Sequence, residues 1–325
     1  MRVGIALLAL VALRRELARV QAADIWAAVT SLGSTAIGYA LICAAASFLI
    51  LALFEVLALR DTAGYDGGES ASNVPNKVAI VTSFVANALS QSIGFAVLTG
   101  SAIRMRVYSR YKVSTGAVAH VSAFVTVTAT LGLMAAGAVA LIQTPAALPA
   151  RFGVSLKVFG IALSLPALAY VAWSVIGRGT IGNKQWSMRP PSTRLAFGQI
   201  GLSVVDWLLT GTVLFVLLPA AAGLSYLAFL SIYLIAQTAG VVSHVPAGFG
   251  VFEGAFISLL AASDSSMSTS VIAASLVVYR VIYYLIPLVA AIAIAAVADL
   301  RRRAPTITLV PRAPAVLVAE VVNAR

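Results

Sequence analysis

Glu55, Asp206, Glu253 and Arg280 stand inside runs that are otherwise apolar, and Arg104 closes another such run. An ionisable group within a hydrocarbon-spanning segment costs upward of about 2.5 kcal/mol, so it normally faces a bundle interior or a wet cavity. Three carboxylates against one fully intramembrane arginine leave an acidic surplus. Such acids keep their charge most cheaply beside a positive group, which suits a cationic passenger. The planar fork of Arg104 suits a phosphate. Plainer roles compete at each position. Glu253 and Arg280 can form a mutual structural ion pair, and Asp206 can be a hydrogen-bonded interior carboxylate. Glu55, read as lying near the outer end of its span, can reach water, and Arg104 can be an ordinary loop charge. His244 is either a satisfied buried histidine or a proton relay, and His120 carries only the former reading.

The stretch SHVPAGFGVFE, 243–253, gathers His244, Pro246, Gly248, Gly250 and Glu253. Pro246 lacks a backbone donor and the glycines admit conformations closed to other residues. Irregular backbone at membrane depth survives only where protein or a water-filled cavity surrounds it. A broken or re-entrant element near 243–257 is expected, its short helices aiming backbone dipoles at a cavity. The alternative is a kinked helix in which Gly250 and Gly254 form a close-packing pair. In 78–103, Ser83, Asn87, Ser90, Gln91, Gly94 and Ser101 share one helical face with Arg104 at its edge, for a cavity or for interhelical hydrogen bonds. Pro287 frees the carbonyl of Tyr283 and predicts a kink beside Arg280.

The elements that position these groups follow from composition. Of 325 residues 61% are hydrophobic and 10% charged, with a mean hydropathy of +0.99. Continuous apolar runs exclude a β-barrel and predict an all-α polytopic membrane bundle of about seven or eight segments. Spans are expected at 34–59, 78–103, 115–142, 155–176, 195–218, 226–243, 247–262 and 271–298. Residues 1–33 hold a partial apolar segment and a basic stretch, 34–300 the transmembrane domain, and 301–325 a basic tail. The net charge of +11 resides in short loops and reads as an orientation signal, not as a nucleic-acid surface. Loops 104–114 and 177–194 and the tail are expected on the cytoplasmic side, with the acidic loop 60–77 opposite. Cys43 alone cannot form an intrachain disulfide, and no metal or other cofactor is expected.

Five ordered motifs carry a resemblance: FEVLALR (54–60), SIGFAVLTGSAIRMRVY (92–108), DWLLTGTVLFVLLP (206–219), SHVPAGFGVFE and YRVIYYLIPL (279–288). Together, over about residues 14–303, they resemble the amino-terminal membrane region of the lysylphosphatidylglycerol synthetase/flippase family, the multiple peptide resistance factor. The resemblance implies a flippase module that moves aminoacylated phosphatidylglycerol to the outer leaflet of the bacterial cell membrane, repelling cationic antimicrobial peptides. Glu55 matches the family's acidic position, usually aspartate, and Arg104 its arginine, both considered important for flipping. Ala247 stands where the family often has glycine. The family's transferase domain does not follow, so this chain is not expected to make the lipid itself. Its implied partner is the aminoacyl phospholipid; the chain is read as a standalone relative, a truncated gene product or the partner of a separate synthase, and a homo-oligomer is left open.

Two other classes compete with transport. One is a non-transporting scaffold for a separate synthase or another envelope enzyme. The other is a membrane-embedded transferase, weaker because no nucleophile–base constellation appears.

Overall fold

The computed structural model describes residues 32–65, 67–93, 96–143, 156–177, 181–183, 186–219, 224–243, 245–263 and 267–303. The expected spans map onto ten helices among the described residues. These are α1 Ser34–Ala63, α2 Asn76–Ile93, α3 Ala96–Tyr108, α4 Thr115–Gln143 and α5 Leu156–Ile176. After them come α6 Thr193–Phe215, α7 Tyr226–Val242, α8 Val251–Ala261, α9 Thr269–Arg280 and α10 Ile286–Arg303. One antiparallel hairpin, β1 Ile181–Asn183 with β2 Trp186–Met188, caps the α5–α6 connection. The chain is an all-α, multi-pass membrane bundle, and among the described residues five helical rods are long and apolar enough to cross a bilayer. The expected first segment lies outside the described residues.

One expected span is two helices. Residues 78–103 do not cross as a single rod. A Cβ built on Gly100 would lie 3.2 Å from Ser90 Oγ, yet ten residues of straight helix would put these positions about 15 Å apart. The chain therefore doubles back between α2 and α3. Eighteen and thirteen residues give rods of about 27 and 20 Å, short of the roughly 30 Å hydrocarbon core. The polar face of α2 explains the failure to span, because its serines and asparagine need protein partners, which Ser83 finds in the Leu51 carbonyl of α1 at 2.9 Å.

This fold-back corrects the sidedness read from sequence. Loops 64–75 and 109–114 share a face, where Ser114 Oγ donates to the Gly67 carbonyl at 3.2 Å. Tyr65 packs on the ring of His120 at 4.3 Å, and Arg189 lies 5.6 Å from the Tyr65 ring. The acidic loop 60–77 thus joins both basic loops instead of opposing them. A second hairpin, α7/α8, enters from the other face, where Ser275 Oγ donates to the Leu217 carbonyl at 2.7 Å. Its arms pack antiparallel, with Phe229 on Phe256 and Tyr233 on Phe252. The tip of this hairpin rests against α2. Starting on that second face, the rod formed by α9 and α10 carries Arg301–Arg303 back toward the first.

The break at 243–257 is a true reversal. Pro246–Gly248 form a short 3-10 turn, and Ala247, Gly248 and Gly250 take φ of +56°, +61° and +79°. Gly248 packs on Gly240, where a Cβ would meet the Gly240 Cα at 3.1 Å. Ala247 adopts the left-handed conformation despite its methyl group, which disfavours that region by roughly 1–2 kcal/mol. Ala247→Gly is therefore expected to stabilise the protein by up to about 1 kcal/mol, the gain being reduced by glycine's greater unfolded-state entropy. Thermal unfolding in detergent measures it.

Pro287 produces a local change of helix type. Residues Val281–Leu285 form a π-helical turn between α9 and α10. Such bulges absorb a disrupted hydrogen-bond ladder and recur at functional sites.

Candidate functional site

Two arginine–carboxylate locks, one fully buried and one partly, and one carboxylate without a cationic partner among the described residues form the candidate site. Glu55 of α1 is fully buried, not near water as the sequence suggested, and it meets Arg104 of α3. Arg104 Nε donates to Glu55 Oε1 at 2.8 Å and Nη2 donates to Oε2 at 2.7 Å. Tyr108, one turn beyond Arg104, donates its hydroxyl to Oε1 at 2.7 Å. The forked geometry is the strong, orientation-specific form of this pair. Arg104 is buried too, so the bundle holds two arginines against three carboxylates, and the inferred acidic surplus shrinks to one.

The third guanidinium nitrogen of Arg104 lies toward Gly100 and Ser90. A Cβ at Gly100 would fall 2.9 Å from Nη1 and 3.2 Å from Ser90 Oγ. Ser90 Oγ and, on the next residue, Gln91 Oε1 are buried without a hydrogen-bond partner. A buried polar atom left unsatisfied costs roughly 1–3 kcal/mol and calls for an explanation. A donor, an amphoteric hydroxyl and an acceptor therefore sit on one hairpin, suited to the polar head of an amphiphile.

The second lock closes the α7/α8 tip. Arg280 pairs with Glu253, donates from Nε to Glu253 Oε1 at 2.6 Å and from Nη1 to the Ala247 carbonyl at 2.8 Å. Glu253 Oε2 accepts the Gly250 N–H at 2.8 Å, capping α8. Arg280 also stacks over Phe249 and Tyr284, at 4.4 and 4.9 Å from their ring centroids. One guanidinium thus holds a carbonyl, a carboxylate and two rings, which stabilises the strained turn. The mutual ion pair that the sequence left open is what the structure contains. His244 lies outside the described residues.

Lysine cannot reproduce this set of contacts, because a point ammonium lacks the planar fork. Arg280→Lys is expected to loosen the tip by about 1.5–3 kcal/mol, the range for a hydrogen bond to a charged group. Faster hydrogen exchange confined to residues 245–250 reports that loosening.

Asp206 stands apart. It is 6% exposed, and Ser47 of α1 donates to its Oδ1 at 2.6 Å. Ser47 Oγ lies 2.8 Å from the Tyr283 hydroxyl on the π-helical turn. Thr210 donates to the Asp206 backbone carbonyl at 2.7 Å and lies 3.2 Å from the same tyrosine hydroxyl. Asp206, Ser47, Thr210 and Tyr283 therefore knit α1, α6 and the π turn together at mid-depth. The sequence reading missed Ser47 and Tyr108. Ser47 stands eight residues before Glu55 and Tyr108 four after Arg104, helical spacings that place each on its neighbour's face.

No protein family's sequence profile matches the chain. It is 38% identical over 208 residues to the uncharacterized protein slr0712 of Synechocystis sp., covering 63% of this chain and 64% of that one. It is 27% identical over 275 residues to the inner membrane protein YbhN of Escherichia coli, covering 83% and 82%. It is 24% identical over 291 residues to the phosphatidylglycerol lysyltransferase of Staphylococcus aureus, covering 87% of this chain but 32% of that protein. The chain is a distant homologue of a membrane-lipid enzyme's minor portion and of an inner membrane protein.

Proposed function

We propose that the chain translocates an aminoacylated, cationic phospholipid such as lysylphosphatidylglycerol across a bacterial inner membrane, contributing to resistance against cationic antimicrobial peptides. The observation that carries this reading is the buried Glu55–Arg104–Tyr108 lock beside the unsatisfied Ser90, with unsatisfied Gln91 on the same helix. Opening a buried ion pair by removing one partner costs about 3–5 kcal/mol, because the other charge is stranded. A ligand bearing both signs avoids that cost. Its ammonium replaces Arg104 at Glu55 while its phosphate replaces Glu55 at Arg104. An aminoacyl phospholipid carries both groups on one head, and a purely anionic lipid does not.

Homology to a phosphatidylglycerol lysyltransferase supports the lipid class. A lysyltransferase, as a separate synthase, makes the lipid this reading requires. Residues 34–300 form the transport domain, and the face carrying both basic loops and Arg301–Arg303 is cytoplasmic by the positive-inside rule. Glu55, Arg104, Asp206, His244, Glu253 and Arg280 serve the head group, with Pro246, Gly248 and Gly250 forming the broken element that lets it pass.

A leaflet assay in cells making lysylphosphatidylglycerol tests the reading. Outer-leaflet lipid is expected to rise when the chain is expressed and to stay at background with Glu55→Gln or Arg104→Lys. Unchanged outer-leaflet lipid with the native chain, together with co-purification of an envelope enzyme, would instead establish a scaffold.

A further inference from the structure

We propose that Asp206 holds a proton in the resting protein and trades it for the ammonium of the passenger, so that lipid moves against a counter-moving proton. The exchange rests on the lipid reading above; the resting proton does not.

Glu55 and Glu253 each hold an arginine, whereas no salt bridge reaches Asp206 among the described residues. An ionised carboxylate in a dry bundle needs either an opposite charge or several donors. Asp206 has one side-chain donor, Ser47. It therefore takes a positive group, and a proton is the smallest that fits a residue this buried.

Among the described residues its surroundings supply no other. The titratable groups that face Asp206 are Tyr283 from the π turn and Tyr233 from α7, with Tyr284 behind Tyr283. From α1 the nearest are Cys43, one turn from Ser47, and Glu55, which is bound to Arg104. From α4 the one titratable side chain is His120, held on Thr62 at the near face. Arg280 is fixed on Glu253 and the Ala247 carbonyl.

The hydroxyls make the site switchable. With Asp206 ionised, Ser47 donates to it, and the Tyr283 proton turns to Ser47. With Asp206 protonated on the oxygen facing Ser47, the acid donates, Ser47 turns its proton to Tyr283, and Tyr283 turns its own to Thr210. Every hydroxyl keeps one proton in either arrangement, and the chain reverses without moving a heavy atom. Because Tyr283 lies on the π turn one helical turn beyond Arg280, the charge on Asp206 is linked to the rod that latches the α7/α8 tip. The exchange balances: one proton leaves the carboxyl as one ammonium arrives, and the net charge of the site is unchanged.

Two measurements on the intact chain in detergent test this. Infrared titration of the lipid-free protein is expected to show the carbonyl band of a protonated carboxyl at neutral pH, absent in Asp206→Asn. Ser47→Ala, which keeps the acid and removes its hydrogen-bond partner, is expected to shift that band upward, so the assignment survives if the asparagine variant folds poorly. No such band at neutral pH overturns the proposal. Lysylphosphatidylglycerol added in weak buffer is then expected to release one proton per lipid bound. Binding without release overturns the exchange and leaves the lipid reading standing. No binding sinks the lipid reading and the exchange together, the resting proton remaining visible by infrared.

Discussion

Glu55→Ala is expected to lower the stability of the bundle by about 3–5 kcal/mol and to abolish lipid export. The stability loss follows from stranding Arg104, which is 5% exposed and forked onto Glu55. Replacing both partners by apolar residues of similar volume, Glu55→Leu with Arg104→Met, is expected to return stability to within about 1 kcal/mol of the native chain, since a well-packed apolar pair often matches a buried ion pair. In that variant Tyr108 loses its carboxylate acceptor and keeps Thr82 as a polar neighbour. Thermal unfolding in detergent separates the single from the double variant, and the leaflet assay decides function. Both variants are expected to leave outer-leaflet lipid at background. Native-level export by the stable double variant would remove the lock from the mechanism and reduce it to a packing element.

Gly132→Leu is expected to be the most damaging change away from any charge. At Gly132 α4 touches α6 so closely that a Cβ would collide with the Ser203 side chain and sit 2.7 Å from its backbone carbonyl carbon. A side-chain clash could relax by rotation, but a backbone clash forces the helices apart. Overpacking typically costs about 1–3 kcal/mol, and here the upper end or beyond is expected. The same separation would break the hydrogen bonds from Trp207 to the Ala129 carbonyl at 2.9 Å and from Gln199 to Thr128 at 2.7 Å. Gly132→Ala should be milder and partly rescued by Ser203→Gly, whereas Gly116→Ala, with nothing within 4 Å of its Cβ position, should be neutral. Loss of the monodisperse species in size-exclusion chromatography reads the difference.

Several features are legible in the amino-acid sequence. The α1, α4, α5 and α6 boundaries follow the apolar runs to within a few residues, because hydrocarbon demands continuous apolar surface and complete backbone pairing. The break at 243–257 was legible for the same reason, since proline and paired glycines cannot continue a lipid-facing helix. The α2/α3 reversal was not. No proline marks it, and Gly94 between apolar residues reads equally as a small packing position within a span. Its error carried over into the loop parity, so one misread reversal put the acidic loop on the wrong face.

Sequence alone determined that this chain lives in a bilayer, where most of its rods begin and end, and which few side chains are too costly to be there without purpose. Those are consequences of solvation free energy, which acts on each segment where it stands. Pairing was decided only by the tertiary structure. Glu55 could equally have reached water, Arg104 could have been a loop charge, and Asp206 could have taken either arginine. Folding α3 back beside α1 and α9 across the α7/α8 tip assigned both guanidinium groups and left Asp206 with hydroxyls alone. Which opposite charges meet is set by contacts between residues 49 and 27 positions apart, and no local property of either partner encodes that meeting.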